Sequence, residues 1–407
     1  MSSDRRKVYH PGHPFKRYAK HPIQLLPSTK VQQPTPTQTF FLLRMVEMKV
    51  LTDTSVFGQI ADHQHEQVVF CHDHETGLRA IIGIHNTVLG PALGGTRMWH
   101  YTSEAEALND VLRLSRGMTY KAAISGLNLG GGKAVIIGDA KTMKTEALLR
   151  KFGRFVQNLN GKYITAEDVN MTTKDMEYIR METKHVSGLP ESMGGSGDPS
   201  PVTAYGTYMG MKAAAKKAFG SDSLAGKRIA VQGVGHVGTY LMEYLQKEGA
   251  KLILTDYYED RALEAAARFG AVAVGLDEIY DQDVDIYSPC ALGATINDDT
   301  IGRLKCQVIA GCANNQLADE NIHGPALVER GIVYGPDFLI NAGGLINVYS
   351  EVVGGSRQTA LTQTEKIYDI TTQVLNKAEQ EQSHPQAAAT RQAEERIAAI
   401  GKVKSTY

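Results

Sequence analysis

The chain has 407 residues and a formal charge of -1, with 42% hydrophobic and 21% charged residues. Such usage supplies more than one apolar core and excludes a wholly disordered, collagenous or coiled-coil chain. No run approaches the roughly 18 apolar residues of a membrane helix, and the near-neutral charge removes the electrostatic case for nucleic acid as the main partner.

The balance is uneven along the chain. Residues 1–44 hold eight Lys/Arg, one acidic residue (Asp4) and six of the 14 prolines, leaving 35 basic and 43 acidic residues for the remainder. The segment 1–47 reads as a disordered basic extension or as translation from too early a start, with Met45 and Met48 as alternative initiators. A targeting presequence is the other reading, although the apolar burst Phe40 to Leu43 is too short for a secretory core. Cys71, Cys290, Cys306 and Cys312 fit no disulfide framework or zinc spacing, which suits a reducing cytoplasm. Glycine, 40 residues in all, exceeds the usual share of about 7% and points to close backbone approaches near ligands.

Strands are expected over 66–71 and 79–85. Gly90 to Arg97, with Gly94-Gly95 inside it, reads as a close-approach loop. A long helix follows: Ser103 and Glu106 have capping-box spacing, and Leu108, Val111, Leu112 and Ser115 continue one face towards Lys121. Gly130-Gly131-Gly132-Lys133 reads as a turn before a buried strand over 134–137. Leu148, Phe152, Phe155, Val156 and Leu159 mark a second amphipathic helix, and a strand over 163–166 ends in Glu167-Asp168. Residues 188–200 are Gly-, Pro- and Ser-rich, a linker or flexible loop. Helices over 201–219, 237–247 and 259–269 then alternate with strands over 228–232 and 251–255, with further strands near 284–288, 307–310 and 332–334. That alternation predicts a parallel sheet wrapped by helices. The tail, 359–400, reads as helical and polar. His63, His65, Cys71, His72 and His74 alternate as metal ligands on one strand face would, but read more simply as a solvated strand edge, and no metal is expected.

Two constellations carry chemistry. The strand Ile229 to Gln232 runs into Gly233-Val234-Gly235-His236-Val237-Gly238, a GxGxxG that leads into the helix over 237–247, with Thr239 as a further cofactor-binding candidate. Gly233 suits the tight turn, Gly235 the approach of a pyrophosphate and Gly238 helix–strand packing, with the helix N-terminus facing the diphosphate. The next strand ends in Asp256, where an acid accepts from both ribose hydroxyls and repels a 2′-phosphate, so NAD is favoured over NADP. A Rossmann-like turn without a dinucleotide is the alternative. In the second constellation, Lys121 and Lys133 lie 12 residues apart beside the triple glycine. The run fails the phosphate-loop pattern, which needs Gly at Leu127 and Ser/Thr at Ala134. A desolvated lysine beside a second cation loses basicity and can serve as a general base nearer neutrality. The spacing alone equally describes two surface lysines flanking a turn, and Asp168 equally a cap or turn carboxylate.

Several longer stretches, taken together, are more specific. Gly-Pro-Ala-Leu-Gly-Gly-Thr-Arg-Met (90–98), Arg-Gly-Met-Thr-Tyr-Lys (116–121), Gly-Leu-Asn-Leu-Gly-Gly-Gly-Lys (126–133), Tyr-Ile-Thr-Ala-Glu-Asp-Val (163–169), Ser-Pro-Val-Thr-Ala-Tyr-Gly (200–206) and Asn-Ala-Gly-Gly-Leu-Ile-Asn-Val (341–348) fall in one colinear order across 48–400. They resemble the glutamate/leucine/phenylalanine/valine dehydrogenase family, most closely its leucine-specific members. The resemblance implies a two-domain α/β protein: a substrate domain over 48–187, a Rossmann-type NAD-binding domain with hinge helices over 188–384, and C-terminal helices over 385–407 returning to the first domain. It implies that an L-amino acid and NAD⁺ give a 2-oxo acid, ammonia and NADH. Lys121 would then bind the substrate α-carboxylate, Lys133 activate water, and Asp168 shuttle protons on the amino nitrogen. Thr203 would hold the nicotinamide carboxamide, Asn314 or Asn315 would lie beside its ribose, and Cys290 and Ala291 near the adenosine half. A homo-oligomer, often an octamer, is also implied.

The family's glutamate-specific members carry a lysine where this chain has Leu93, and an unpaired γ-carboxylate buried there is costly. The resemblance puts Leu93, Gly95, Met118, Ala166, Leu345 and Val348 around the substrate, an apolar set that suits leucine, valine or isoleucine. Leu345 stands where leucine-specific members commonly have valine, so a phenylalanine- or tryptophan-type enzyme is the runner-up. A catalytically dead NAD-binding protein is the non-enzyme alternative, which would not need the lysine pair with Asp168.

Overall fold

The computed structural model describes residues 55–404; the basic extension expected at 1–47, with Met45 and Met48, lies outside the described residues. Helix α1 (Val56–Asp62) precedes β1 (Gln67–Asp73), β2 (Leu78–Asn86) and β3 (Ala92–Trp99), followed by α2 (Glu104–Ile124), β4 (Gly130–Ile137), α3 (Glu146–Asn158), β5 (Tyr163–Glu167) and α4 (Thr173–Arg180). The strands form one sheet in the order β1-β2-β4-β3-β5. The β1–β2 and β2–β4 pairs are antiparallel, while β3 runs parallel to both β4 and β5.

Helix α2 starts where expected. Ser103 Oγ accepts from Glu106 N at 3.1 Å, satisfying one of the free N–H groups of the first turn. The reciprocal half of the box is displaced by one residue: the Glu106 carboxylate takes Thr102 N and Oγ1 rather than Ser103 N. Helix α3 buries Leu148, Leu149, Phe152 and Val156 against the sheet. Each full burial contributes about 1.5–3 kcal/mol, which outweighs the marginal stability of an isolated helix of that length.

Two expectations fail for one reason. Residues 130–133 are not a turn but the first half of β4, and the 90–97 stretch enters β3 instead of forming a loop. Glycine lets these strands lie against their neighbours: a Cβ at Gly131 would collide with the Thr119 backbone nitrogen of α2. A side-chain-free strand shows no apolar alternation, so it reads as a turn. The close packing sets Lys133 of β4 beneath the end of α2, where Lys121 sits.

The histidine-rich start is only partly a solvated edge. His72 and His74 are exposed, but Cys71 and His65 are buried. His65 Nε2 shares a 2.7 Å hydrogen bond with Ser115 Oγ, and its ring meets His85 edge-on at 4.9 Å. The 188–200 segment, expected to be loose, is tethered: Glu351 Oε2 accepts from Gly188 N, Ser196 N and Ser196 Oγ at 2.8–3.0 Å.

The second half comprises α5 (Ser200–Phe219), β6 (Arg228–Gln232), α6 (His236–Glu248), β7 (Lys251–Thr255), α7 (Glu259–Phe269), β8 (Val272–Ala273), β9 (Ile286–Pro289), β10 (Val308–Ile309), α8 (Glu320–Glu329), β11 (Val333–Tyr334), α9 (Asp337–Ile340), α10 (Gly343–Val352), α11 (Arg357–Gln380) and α12 (Pro385–Lys404). Its sheet, β11-β10-β9-β6-β7-β8, is parallel throughout. Ile229, Ala230 and Val231 are fully buried, as in a strand covered on both faces. Strand order reverses between β6 and β9, the crevice where such sheets take ligands. The tail is two helices rather than one polar run. Ala360, Ile367 and Val374 of α11 and Ala388, Ala389 and Ala393 of α12 are buried, a stripe of mostly small residues that passes for polar in sequence. Arg396 of α12 donates to Ala123 O and Leu127 O at the end of α2.

Candidate active site

A cavity of about 540 Å³ is walled by β3, β4, β5 and α2 on one side and by α10 and the turn at 314–315 on the other. All nine residues expected around the substrate line it: Lys121, Lys133, Asp168, Leu93, Gly95, Met118, Ala166, Leu345 and Val348. Asn314 and Asn315 join them. Sequence reading missed Arg97, Arg113, Leu114, Gly117, Glu167, Pro199, Asp337, Phe338 and Gly344, which line it too. For some a signal existed. Leu114 and Gly117 precede Met118 and Lys121 by four residues and share their helix face, and Arg97 follows Gly95 at the two-residue strand period.

The electrostatics centre on two lysines and one carboxylate. Lys133, only 6% exposed, brings its Nζ to 2.9 Å from Asp168 Oδ2. Burial lowers the pKa of Lys133 below the ordinary lysine value, opposed by the negative charge of Asp168. Burial alone would raise the carboxyl of Asp168, but the charges of Lys133 and Arg97 prevail and hold it below its usual range. Glu167, next in the chain, is raised by desolvation.

Lys121 is different. Its ammonium makes no hydrogen bond or salt bridge among the described residues. Burial brings its pKa down to about 8, the charge of Asp337 opposing and that of Lys133 adding to the shift. Asp337 acts on it only at a distance: the two form no ion pair, and the Asp337 oxygens take Gln316 N, Phe338 N and Gln386 Nε2. A buried cation without a counter-ion is costly, and an incoming anion relieves that cost.

The glycine-rich turn sits at the strand-order reversal. Gly233 has φ +105°, and a Cβ there would stand 2.6 Å from Ala291 Cβ. Gly238 packs against the Gly233 carbonyl and beside Cys290, whereas the Cα of Gly235 faces open space. Val234, Gly235, His236 and Thr239 line a second cavity of about 440 Å³ with Arg261, Arg268 and Phe269. Val237 is half-buried against the core, and Thr239 Oγ1 donates to Val234 O. Asp256 follows β7; its Oδ2 accepts from Val234 N at 2.9 Å and its Oδ1 from Tyr258 N at 3.0 Å. Cys290 follows β9, and Cys312 Sγ donates to its carbonyl at 3.8 Å. Thr203 lines neither cavity. It lies in the first turn of α5, where its Oγ1 donates to Pro199 O at 3.0 Å, and it is packed against Gly344; Pro199 and Gly344 line the first cavity.

The chain matches the family model described as Glu/Leu/Phe/Val dehydrogenase, dimerisation domain, over residues 65–185, and the one described as Glutamate/Leucine/Phenylalanine/Valine dehydrogenase over 194–257 and 254–405. It is 57% identical over 352 residues to leucine dehydrogenase of Thermoactinomyces intermedius, which spans 86% of this chain and 96% of that protein. Identity to L-tryptophan dehydrogenase of Nostoc punctiforme is 47% over 350 residues, 86% of this chain and 98% of the relative. The crystal structure of L-tryptophan dehydrogenase from Nostoc punctiforme superposes with a TM-score of 0.76 at 44% identity, covering 85% of this chain and 99% of that one.

Proposed function

The chain belongs to the Glu/Leu/Phe/Val dehydrogenase family, and from that premise we propose that it catalyses the reversible, NAD-dependent oxidative deamination of L-leucine and other branched-chain L-amino acids. Leucine, water and NAD⁺ give 4-methyl-2-oxopentanoate, ammonium, NADH and a proton. The observation that carries this reading is the half-buried ammonium of Lys121, unpaired among the described residues, in one cavity with the Lys133–Asp168 pair. Lys121 binds the α-carboxylate. Lys133, made less basic by burial, takes the proton of the water that attacks the imine carbon and polarises the 2-oxo group in reverse. Asp168 moves protons on the amino nitrogen. Leu93, Ala166, Leu345 and Val348 offer no charge to a γ-carboxylate, which argues against glutamate.

The residues around the glycine turn fit a dinucleotide: side chains at 233 or 238 would close the cradle, Gly235 faces free space, and the N-terminus of α6 suits a diphosphate. NAD supplies the hydride acceptor when bound. Gly233 to Thr239 would hold its diphosphate and Asp256 its adenosine ribose, an acid there disfavouring a 2′-phosphate. Thr203, Asn314 and Asn315 would serve the nicotinamide half, and Cys290 and Ala291 the adenosine half.

The direct test is NADH appearance with L-leucine at alkaline pH. Absence of turnover with every apolar amino acid overturns the enzyme reading in favour of a non-catalytic NAD-binding protein. Leu345 favours one second reading, an aromatic substrate; rates on phenylalanine or tryptophan above those on leucine, valine and isoleucine would replace the first. We also read the protein as a cytoplasmic homo-oligomer. Its described cysteines are free thiols, no described helix is long and apolar enough to cross a membrane, and the model matching 65–185 is described as a dimerisation domain. A monomer by light scattering overturns the oligomer.

A further inference from the structure

We propose that Arg97 is a positioning residue for Asp168, clamping one carboxylate oxygen so that the group stays ionised while its other oxygen is left for the substrate nitrogen. The proposal rests on the proton-shuttling role of Asp168 given above. Arg97 Nε donates to Asp168 Oδ2 at 2.7 Å, the same oxygen that Lys133 Nζ reaches at 2.9 Å. No described residue hydrogen-bonds Oδ1. Arg97 is itself anchored: its Nη1 donates to Asp110 Oδ2 at 2.9 Å, an oxygen that also takes Tyr101 OH at 2.7 Å, while Asp110 Oδ1 takes Arg113 Nη2 at 3.1 Å. Asp110 lies on α2, which also carries Lys121, so the clamp joins the carboxylate-binding helix to strand β3 and the proton shuttle.

The chemistry explains why Lys133 alone does not suffice. A lysine acting as a base is neutral for part of the cycle, and then its charge opposite Asp168 is gone. A guanidinium keeps its proton throughout, so Arg97 supplies the fixed positive charge while Lys133 changes state. Its planar fork also holds two carboxylates at once, which an ammonium on a flexible stem does not. The charged and titratable groups around Asp168 are Lys133 from β4, Arg97 from β3, Glu167 before it in the chain, Tyr163 from β5, whose hydroxyl donates to Gly94 O, Lys121 beyond Lys133, and Asp110, Tyr101 and Arg113 behind Arg97. With Arg97 removed and Lys133 neutral, no cation among the described residues touches Asp168.

The test compares wild type, Arg97→Met, Arg97→Lys, Asp110→Asn and Asp168→Asn by kcat and KM for leucine across pH, with circular dichroism for folding. Arg97→Met is expected to lower kcat about 10²-fold, the scale of a misplaced catalytic group, with little change in KM. The acid limb of its kcat/KM profile moves to higher pH, because the unclamped carboxylate is protonated more easily. Arg97→Lys restores part of both. Should Arg97→Met not fold, Asp110→Asn carries the test: its neutral amide oxygen is a weaker anchor for the guanidinium and the charge of Arg97 is kept, so kcat falls without the acid limb moving to higher pH. An Arg97→Met enzyme with the wild-type acid limb, or an Asp110→Asn enzyme with wild-type kcat, overturns the clamp. Wild-type activity in Asp168→Asn overturns the shuttle itself; a dead Asp168→Asn with an unmoved Arg97→Met overturns the clamp alone.

Discussion

Replacing Lys121 by methionine tests the site's logic from two sides at once. The side chains are similar in length, so packing around α2 is largely kept. Without leucine the half-buried ammonium makes no ion pair among the described residues, and burial brings its pKa from 10.5 to about 8. That difference corresponds to about 3 kcal/mol by which the native fold disfavours the charged form. Between those two pH values the unfolded chain binds the proton and the native chain does not, so the stability of the wild type rises with pH across that window. Lys121→Met lacks this liability. Its advantage, up to about 3 kcal/mol, is therefore full below pH 8 and gone above 10.5. Catalysis moves the opposite way. Truncating one partner of a buried charge pair costs about 2–5 kcal/mol, a loss in kcat/KM for leucine of roughly 30- to 5,000-fold. Denaturant unfolding at pH 7 and at pH 10.5 without leucine, together with steady-state kinetics, reads both effects. A variant less stable than wild type at pH 7, or one keeping kcat/KM within about threefold, refutes the reasoning.

Asp256→Ala removes the acid next to the glycine turn and should raise the NADPH-to-NADH ratio of kcat/KM about tenfold or more; an unchanged ratio removes Asp256 from cofactor choice. Leu345→Ala enlarges the apolar end of the cavity and should shift preference from leucine towards phenylalanine by about 10- to 100-fold, measured as the ratio of their kcat/KM values. If the ratio holds, Leu345 does not set side-chain size. Acid should destabilise the fold through the histidines behind β1 and β2. Burial lowers His65 to about 3 and His85 to about 4, so their contribution is complete above pH 6.5 and is lost as pH falls towards those values. Unfolding midpoints between pH 7 and pH 4 should fall less steeply in His65→Asn than in wild type, and parallel slopes would count against it.

The half from α5 onward was the more legible in sequence. Strands β6 and β7 and helix α7 run over the residues their periodicity predicted, because each is a short, continuous stretch whose pattern is complete within itself. The glycine turn was legible for the same reason, its residue types and spacing being local. The first half, from α1 to α4, was less so. Gly130 to Lys133 looked like a turn because a strand pressed onto a helix backbone has no side chains to alternate. The link among Arg97, Asp110 and Tyr101 was not legible, since a network joining β3, α2 and the residue after β5 leaves no local pattern.

Composition, periodicity and motif order by themselves determined the α/β class, the parallel alternation after residue 200, the family resemblance, and which lysines and carboxylate to watch. Those properties reside in residue type and in spacings of two to a few dozen residues. Only the tertiary structure decided that Lys121 makes no ion pair among the described residues, that Lys133 and Arg97 share one oxygen of Asp168, and that Asp337 takes three other donors. Charge, burial and hydrogen-bond saturation depend on groups brought together from distant parts of the chain, and it is the packing of glycine strands against α2 that brings them together.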